Sequence, residues 1–169
     1  MKTTLHILTA IIFCTPFILS AGYGNAAEVV AIGASQTFGK GVPRRAAYPA
    51  QLEKLLRDKG INVKVKNAGI NGATTGKMLE TLRDAIGSDT KVVLLQPGSN
   101  DARKGKQDKT EQHIRKLLDK LESRSIRYII VRKGDYAEYP RGPDGLHLTE
   151  DGYARLAKKL LPRVVAALR

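Results

Sequence analysis

Four short polar motifs occur in a fixed order along this sequence: Gly33-Ala34-Ser35, Asn67-Ala68-Gly69 with Gly72 just beyond, Gly98-Ser99-Asn100-Asp101, and Asp144-Gly145-Leu146-His147. Ser35 could supply a nucleophile, and His147 could supply the base that removes its proton. Asp144 could orient that imidazole, while Gly72 and Asn100 could donate hydrogen bonds to an oxyanion. Hydrolysis of an ester-type bond is therefore the leading hypothesis.

Each catalytic candidate also has a simpler interpretation. Taken alone, a Gly-x-Ser sequence is more typical of a loop serine or a helix cap than of a nucleophile. Thr37 also stands where the α/β-hydrolase elbow has its second glycine. The Asp144/His147 pair could be an Asp-Gly turn followed by an incidental histidine. Of the other histidines, His113 lies in a charged segment that predicts a solvent-facing side chain. His147 is therefore the candidate base.

The candidate oxyanion donors are the backbone N–H groups of Ser35 and Gly72 and the side-chain amide of Asn100. Glycine lets a backbone approach a substrate closely. Glycine and asparagine are also ordinary turn residues, so each signal is weak alone. We expect Asn67 and Asp101 to stiffen these loops rather than to take part in the chemistry.

The motifs are spaced by alternating strand-like and helix-like segments. Apolar runs predict strands over 28–33, 61–65, 91–96 and 127–131, and apolar residues at helical spacing predict helices over 47–59, 75–86, 108–123 and 149–168. The 61–65 run alternates with polar residues, which predicts a strand near a sheet edge. Pro162 predicts a kink or restart in the last helix. Such alternation indicates a parallel sheet covered by helices on both faces, with the first three motifs at the carboxyl ends of strands.

The N-terminus has the pattern of a signal peptide. Lys2 precedes an almost wholly apolar run over 5–21, and the small residues that follow end in Gly24-Asn25-Ala26. We expect cleavage after Ala26 or Ala27 and export to the periplasm or the medium. An uncleaved membrane anchor is the alternative, although the run is short for a span of about 20 residues. The only cysteine, Cys14, would leave with the signal, so no disulfide would support the fold.

The chain is strongly basic. It carries a net charge of +13, and removal of Lys2 with the signal leaves +12. Such a field attracts anionic surfaces, lipids or substrates. The lysines and arginines are spread along the sequence without forming an arginine-rich block, and tryptophan is absent. We therefore expect a solvated basic surface and no nucleic-acid partner.

The ordered set of Ser35, Gly72, Asn100 and His147 resembles that of the SGNH (GDSL-type) hydrolases, most closely the small secreted esterase and thioesterase–lysophospholipase branch. The resemblance implies a flavodoxin-like three-layer α/β/α sandwich, with a short parallel sheet of four or five strands in a single domain over 27–169. It also implies that no metal or organic cofactor is needed. We expect the protein to be a monomer. In such an enzyme Ser35 would form an acyl-enzyme, His147 and Asp144 would complete the triad, and Ser35, Gly72 and Asn100 would hold the oxyanion.

Three features depart from that family's pattern. Ala34 replaces the aspartate of Gly-Asp-Ser, and Ala73 replaces an acidic residue that commonly follows Gly72. The segment between the fourth predicted strand and Asp144 is also short. We therefore expect a trimmed sheet and a more open cleft.

Three functions remain open at this point. The first is an exported serine esterase acting on small acyl esters, including lysophospholipids or acyl thioesters. The second is O-deacetylation of a polysaccharide by the same groups. The sequence gives this function little support, because it has no tryptophan that could stack on a sugar ring. The third is a non-catalytic binding protein on the same scaffold.

Overall fold

A four-stranded parallel sheet forms the centre of the protein. The structure is a computed structural model that describes residues 28–169. The strands lie in the order β2-β1-β3-β4 and are β1 (Glu28–Gly33), β2 (Lys64–Gly69), β3 (Thr90–Gln96) and β4 (Arg127–Ile130). The expected N-terminal signal lies outside the described residues and stays a prediction.

Helices connect the strands in the alternation that the sequence predicts. They are α1 (Ser35–Phe38), α2 (Tyr48–Asp58), α3 (Thr75–Ala85), α4 (Asn100–Arg103), α5 (Thr110–Glu122) and α6 (Glu150–Leu168). Short 3-10 turns cover 44–46, 107–109 and 133–135. Within residues 28–169, no helix has both the length and the apolar character needed to cross a membrane.

Two apolar layers cover the two faces of the sheet. On one face, α2 and α6 pack on alternate strand residues such as Val29 and Leu94. On the other face, α3 and α5 pack on their neighbours Val30 and Leu95. Because successive residues of a strand point to opposite faces, the continuous apolar runs of β1 and β3 fill both layers. The predicted three-layer α/β/α sandwich is confirmed.

The strands β1, β2 and β3 end opposite one another at the same edge of the sheet, and the first motifs lie at this edge. Gly33, the last residue of β1, pairs with Gly69 of β2 and with Gln96 of β3. The strand expected over 61–65 instead begins at Lys64, because Ile61 and Val63 form a turn in which the Val63 N–H donates to the Ile61 carbonyl (3.2 Å). Its position at a sheet edge is confirmed.

The last helix is continuous, so the prediction of a restart at Pro162 is wrong. α6 runs from Glu150 to Leu168 through this proline. A proline removes one N–H donor, and the carbonyl it leaves free must be solvated. Pro162 is exposed, so solvent can reach this side of the helix and the turn is maintained.

The segment after β4 contains no further strand in the described chain. One isolated antiparallel bridge joins Arg141 to Leu148, and the remainder is turns and loops until α6 begins. The described residues therefore form a four-stranded sheet, within the expected four or five strands and trimmed as the short segment before Asp144 predicts.

Replacing Gly69 with alanine is expected to lower the melting temperature by about 3–10 °C, because overpacking costs about 1–3 kcal/mol. An added Cβ would lie 2.3 Å from the Phe38 nitrogen and 2.6 Å from the Thr37 carbonyl carbon, so the backbone of α1 must move. Gly87→Ala is the matched control, since a Cβ there meets no atom within 4 Å. Equal melting temperatures for the two variants, measured by calorimetry, would contradict this close packing.

Candidate active site

Ser35 is the first residue of α1 and follows β1 after a single intervening residue. Its side chain is half-buried. The Oε1 atom of Gln96, at the end of β3, accepts a hydrogen bond from the Ala34 N–H and one from the Thr37 hydroxyl, both at 3.3 Å. The Thr37 hydroxyl also lies 3.3 Å from the Tyr48 hydroxyl. These contacts hold the turn that presents Ser35.

Ala34 lies in a confined space at the position where the resemblance implies an aspartate. It is 2 % exposed, and a Cβ added to Gly98 would lie 3.2 Å from its methyl group. As the residue before α1, Ala34 makes no side-chain cap. The loop is therefore held by the Gln96 amide and not by a side chain at position 34.

Asp144 and His147 form a close pair in the loop before α6. The Nδ1 atom of His147 lies 2.6 Å from Asp144 Oδ2. The other carboxylate oxygen, Oδ1, accepts the backbone N–H groups of Leu146 (3.0 Å) and His147 (2.9 Å). A carboxylate held in this way favours the tautomer with hydrogen on Nδ1, which leaves Nε2 free to accept a proton.

The same contacts keep Asp144 ionised. The hydrogen bond from the His147 ring, followed by the backbone N–H groups of His147 and Leu146, holds the pKa of the Asp144 carboxyl well below its usual range. Donors directed at an ionised group favour its charged form. The carboxylate is therefore available to stabilise a positive imidazolium.

The second ring nitrogen of His147 is buried and has no partner among the described residues. The whole residue is 3 % exposed, and its Nε2 atom neither accepts nor donates a hydrogen bond. Ser35 Oγ and Nε2 are therefore not hydrogen-bonded in this structure. A buried polar atom without a partner costs about 1–3 kcal/mol, so its presence needs a reason.

Gln36 connects the two halves of the site. Its Nε2 donates to the Leu146 carbonyl (2.9 Å), and its Oε1 accepts from the Tyr153 hydroxyl (3.1 Å). The residue after Ser35 is thus bonded to the residue before His147. Neither Gln36 nor Gln96 was among the residues expected from the sequence, although both are buried glutamines next to a motif or at a strand end.

The oxyanion candidates lie in two neighbouring cavities. Ser35 and Asn100 line one of about 160 Å³, whereas Gly72 lines another of about 810 Å³. Asn100 is 8 % exposed and donates one Nδ2 hydrogen to the Ala73 carbonyl (2.9 Å), which leaves its second hydrogen available. The structure therefore places Ser35 and Asn100 together and Gly72 one loop away.

Two residues stiffen the loops, as the sequence predicts. Asn67 Oδ1 accepts the Gly69 N–H (3.0 Å). Asp101 is 2 % exposed and accepts hydrogen bonds from the Thr75 hydroxyl (2.7 Å) and N–H (3.0 Å).

The prediction that the His113 side chain faces solvent is wrong, because this side chain is half-buried with its Nδ1 atom 3.2 Å from the Thr75 hydroxyl. Thr75, a neighbour distant in sequence, draws the ring inward.

Within the described residues, no group of three or more histidine, cysteine, aspartate or glutamate side chains is arranged to hold a metal ion. The expectation of no cofactor stays a prediction.

Comparison of the sequence with family models decides the class. Residues 31–138 match the GDSL-like lipase/acylhydrolase family, a range that includes Ser35, Gly72 and Asn100. The chain belongs to this family. It is therefore an ester hydrolase of the SGNH class, and Asp144 and His147 lie just beyond the matched range.

Solved structures of SGNH hydrolases share the fold. The esterase EstA from Pseudoalteromonas sp., inhibited by monoethylphosphonate, aligns with a TM-score of 0.74 at 14% identity over 84% of this chain and 98% of its own. TesA aligns with a TM-score of 0.72 at 17% identity over 83% and 99%. AlinE4, an SGNH-hydrolase family esterase, is 26% identical over 85% of this chain and 80% of its own, with a TM-score of 0.58. A search of curated proteins finds no match to this sequence.

Proposed function

We propose that this family member is an exported serine esterase that hydrolyses small acyl esters, with Ser35 as nucleophile, His147 as base and Asp144 as the residue that orients it. The observation that carries the proposal is the buried, unpartnered Nε2 of His147, whose Nδ1 is held by Asp144 at 2.6 Å. A base without a partner is accounted for if its partner is a reacting hydroxyl. Export depends on the signal pattern, which would place the enzyme in the periplasm or the medium.

Acylation needs Ser35 Oγ within about 3 Å of His147 Nε2, a distance that is often longer before substrate binds. Ser35 Oγ then attacks the ester carbonyl as its proton passes to Nε2. The resulting oxyanion is held by the N–H groups of Ser35 and Gly72 and by the free Nδ2 hydrogen of Asn100. Collapse breaks the ester C–O bond, and the imidazolium returns its proton to the departing alkoxide.

Deacylation repeats these steps with water. His147 removes a proton from water as the water attacks the acyl-enzyme carbonyl, and the same donors hold the second oxyanion. Ser35 then leaves with the proton from Nε2, and the carboxylic acid is released. Asp144 stays ionised throughout and stabilises the imidazolium in both half-reactions.

The size of the cavity at Ser35 supports a short acyl group. At about 160 Å³ it is smaller than typical small-molecule pockets of about 300–1,000 Å³. An acetyl group fits such a space, whereas a long acyl chain must extend beyond it.

A panel of para-nitrophenyl esters graded by chain length tests this function. We expect kcat/KM to be highest for acetate or butyrate and to fall about tenfold or more at longer chains, since a misfit of one methylene is worth about 1–3 kcal/mol. The uncatalysed rate of each ester in buffer is the control. A flat profile, or no turnover of any ester, would contradict the proposal.

O-deacetylation of a glycan is the second candidate, because the same small cavity accommodates an acetyl group. Acetate release from an acetylated polysaccharide is compared with release from an aryl acetate at equal ester concentration. Faster release from the polysaccharide would favour this candidate over a small-ester esterase.

A further inference from the structure

The cavity that contains Ser35 is lined by three cationic side chains and by no acidic one. The cations are Arg103, Lys133 and Arg141. They come from separate parts of the chain, namely α4, the 3-10 turn after β4 and the loop before Asp144. Cations from three separate segments therefore line the same small cavity as the proposed nucleophile.

These cations are not neutralised by nearby carboxylates. Within residues 28–169, neither Arg103 nor Lys133 forms an ion pair, and both are exposed. Asp144 is bonded instead to His147. The positive charge of this cavity is therefore available to a ligand.

Arg141 is held in place for such a role. Its Nη1 donates to the Leu146 carbonyl (2.6 Å) and its Nη2 to the Ala137 carbonyl (3.2 Å). Both partners are neutral carbonyls, so the guanidinium keeps its full charge while its orientation is restricted. Tyr136, 8 % exposed, lines the same cavity. A fixed cation and a buried phenol form a pre-organised polar wall, which lowers the entropy cost of binding a charged group.

We infer that this cavity selects esters that carry an anionic group, such as a carboxylate or a phosphate, within a few bonds of the scissile carbonyl. The inference rests on the proposed function, because it concerns the substrate of the same site. Arg141 sets the direction of the field, and Arg103 and Lys133 contact the anionic group at the cavity mouth. The acyl part is short because the cavity beside Ser35 is small.

Two matched substrate pairs test the inference. In the first pair the charge lies in the acyl part, as para-nitrophenyl hemisuccinate against para-nitrophenyl butyrate. In the second pair it lies in the leaving group, as para-acetoxybenzoate against its methyl ester. We expect the anionic-to-neutral ratio of kcat/KM to reach about tenfold in at least one pair, since hydrogen bonds to charged groups are the stronger ones. The pair that shows it identifies which part of the substrate carries the charge.

Arg103→Gln and Lys133→Gln are each expected to lower this ratio by about threefold, the effect of one exposed charge pair. Arg57→Gln and Lys116→Gln are the matched controls, because they remove the same charges from exposed helix positions outside this cavity. We expect the controls to leave the ratio unchanged. A general effect of the basic surface would instead lower the ratio equally in all four variants, and that result would overturn the inference.

The outcomes separate this inference from the proposed function. Hydrolysis of the neutral esters with a ratio near one in both pairs would overturn the anionic selectivity and leave the esterase standing. No hydrolysis of any of the four esters would overturn the proposed function and the selectivity with it.

Discussion

Ser35→Ala is expected to lower kcat for a short para-nitrophenyl ester by about 10⁴-fold or more, the loss typical of removing a triad nucleophile. The variant keeps the oxyanion donors, but it has no hydroxyl to form an acyl-enzyme. The Gln96 and Gln36 contacts that hold this loop involve neither the Ser35 hydroxyl nor its proton. The fold should therefore be unchanged, and a circular dichroism spectrum equal to that of the wild type would verify this.

Ser99→Ala is the matched control, since Ser99 lines the same cavity but its hydroxyl makes no cap bond to α4. This variant should keep its activity within a few-fold of the wild type. Unchanged turnover in Ser35→Ala would exclude the serine mechanism.

Covalent labelling provides a second measurement that does not depend on turnover. A fluorophosphonate probe should add its mass to Ser35 of the wild type and should fail to label Ser35→Ala. A non-catalytic binding protein on this scaffold would remain unlabelled in both forms. That result would favour the third function that the sequence left open.

Asp144→Asn is expected to lower kcat by about 10⁴-fold, because it reverses the tautomer of His147. Asp144 Oδ1 accepts two backbone N–H groups, so the amide oxygen of the variant must stay at that position. The amide nitrogen then faces Nδ1, which has to accept a hydrogen bond. The ring proton consequently moves to Nε2, and the base is lost.

The same variant tests the ionisation of Asp144. The pKa of this carboxyl is lowered in the folded protein, so the unfolded chain binds more protons as the pH falls. The contribution of the carboxylate to stability is therefore present above the usual pKa of about 4 and is lost progressively at lower pH. The melting temperatures of wild type and Asp144→Asn should differ most at neutral pH and converge in acid.

Asp84→Asn serves as the control for loss of a carboxylate. Its side chain is 78% exposed and its only ion pair in the described chain is a loose contact with Arg83 at 3.7 Å. This variant should match the wild type in kcat and in the pH dependence of its melting temperature. A melting-temperature gap for Asp144→Asn that stays constant with pH would show that the carboxylate does not interact more strongly in the folded state.

The layered fold could be predicted because local patterns encode it. Apolar runs such as 91–96 have no polar alternation, so a strand buried on both faces is the favoured arrangement. Two details depart from the pattern, each for its own structural reason. A solvent-exposed position lets Pro162 remain inside α6, and a turn at Ile61 delays the start of β2.

The sequence by itself determined the order of the motifs, the strand–helix alternation and the family, since all three depend on residue types and their spacing along the chain. The tertiary structure alone decided which distant groups meet. It placed Gln96 beneath the Ser35 turn, connected Gln36 to the His147 loop, and turned His113 toward Thr75. It also gathered three cations around Ser35. Hydrogen bonds and charge–charge contacts act through space over a few ångströms, and a linear pattern carries no direct record of distances between segments that the sheet brings together.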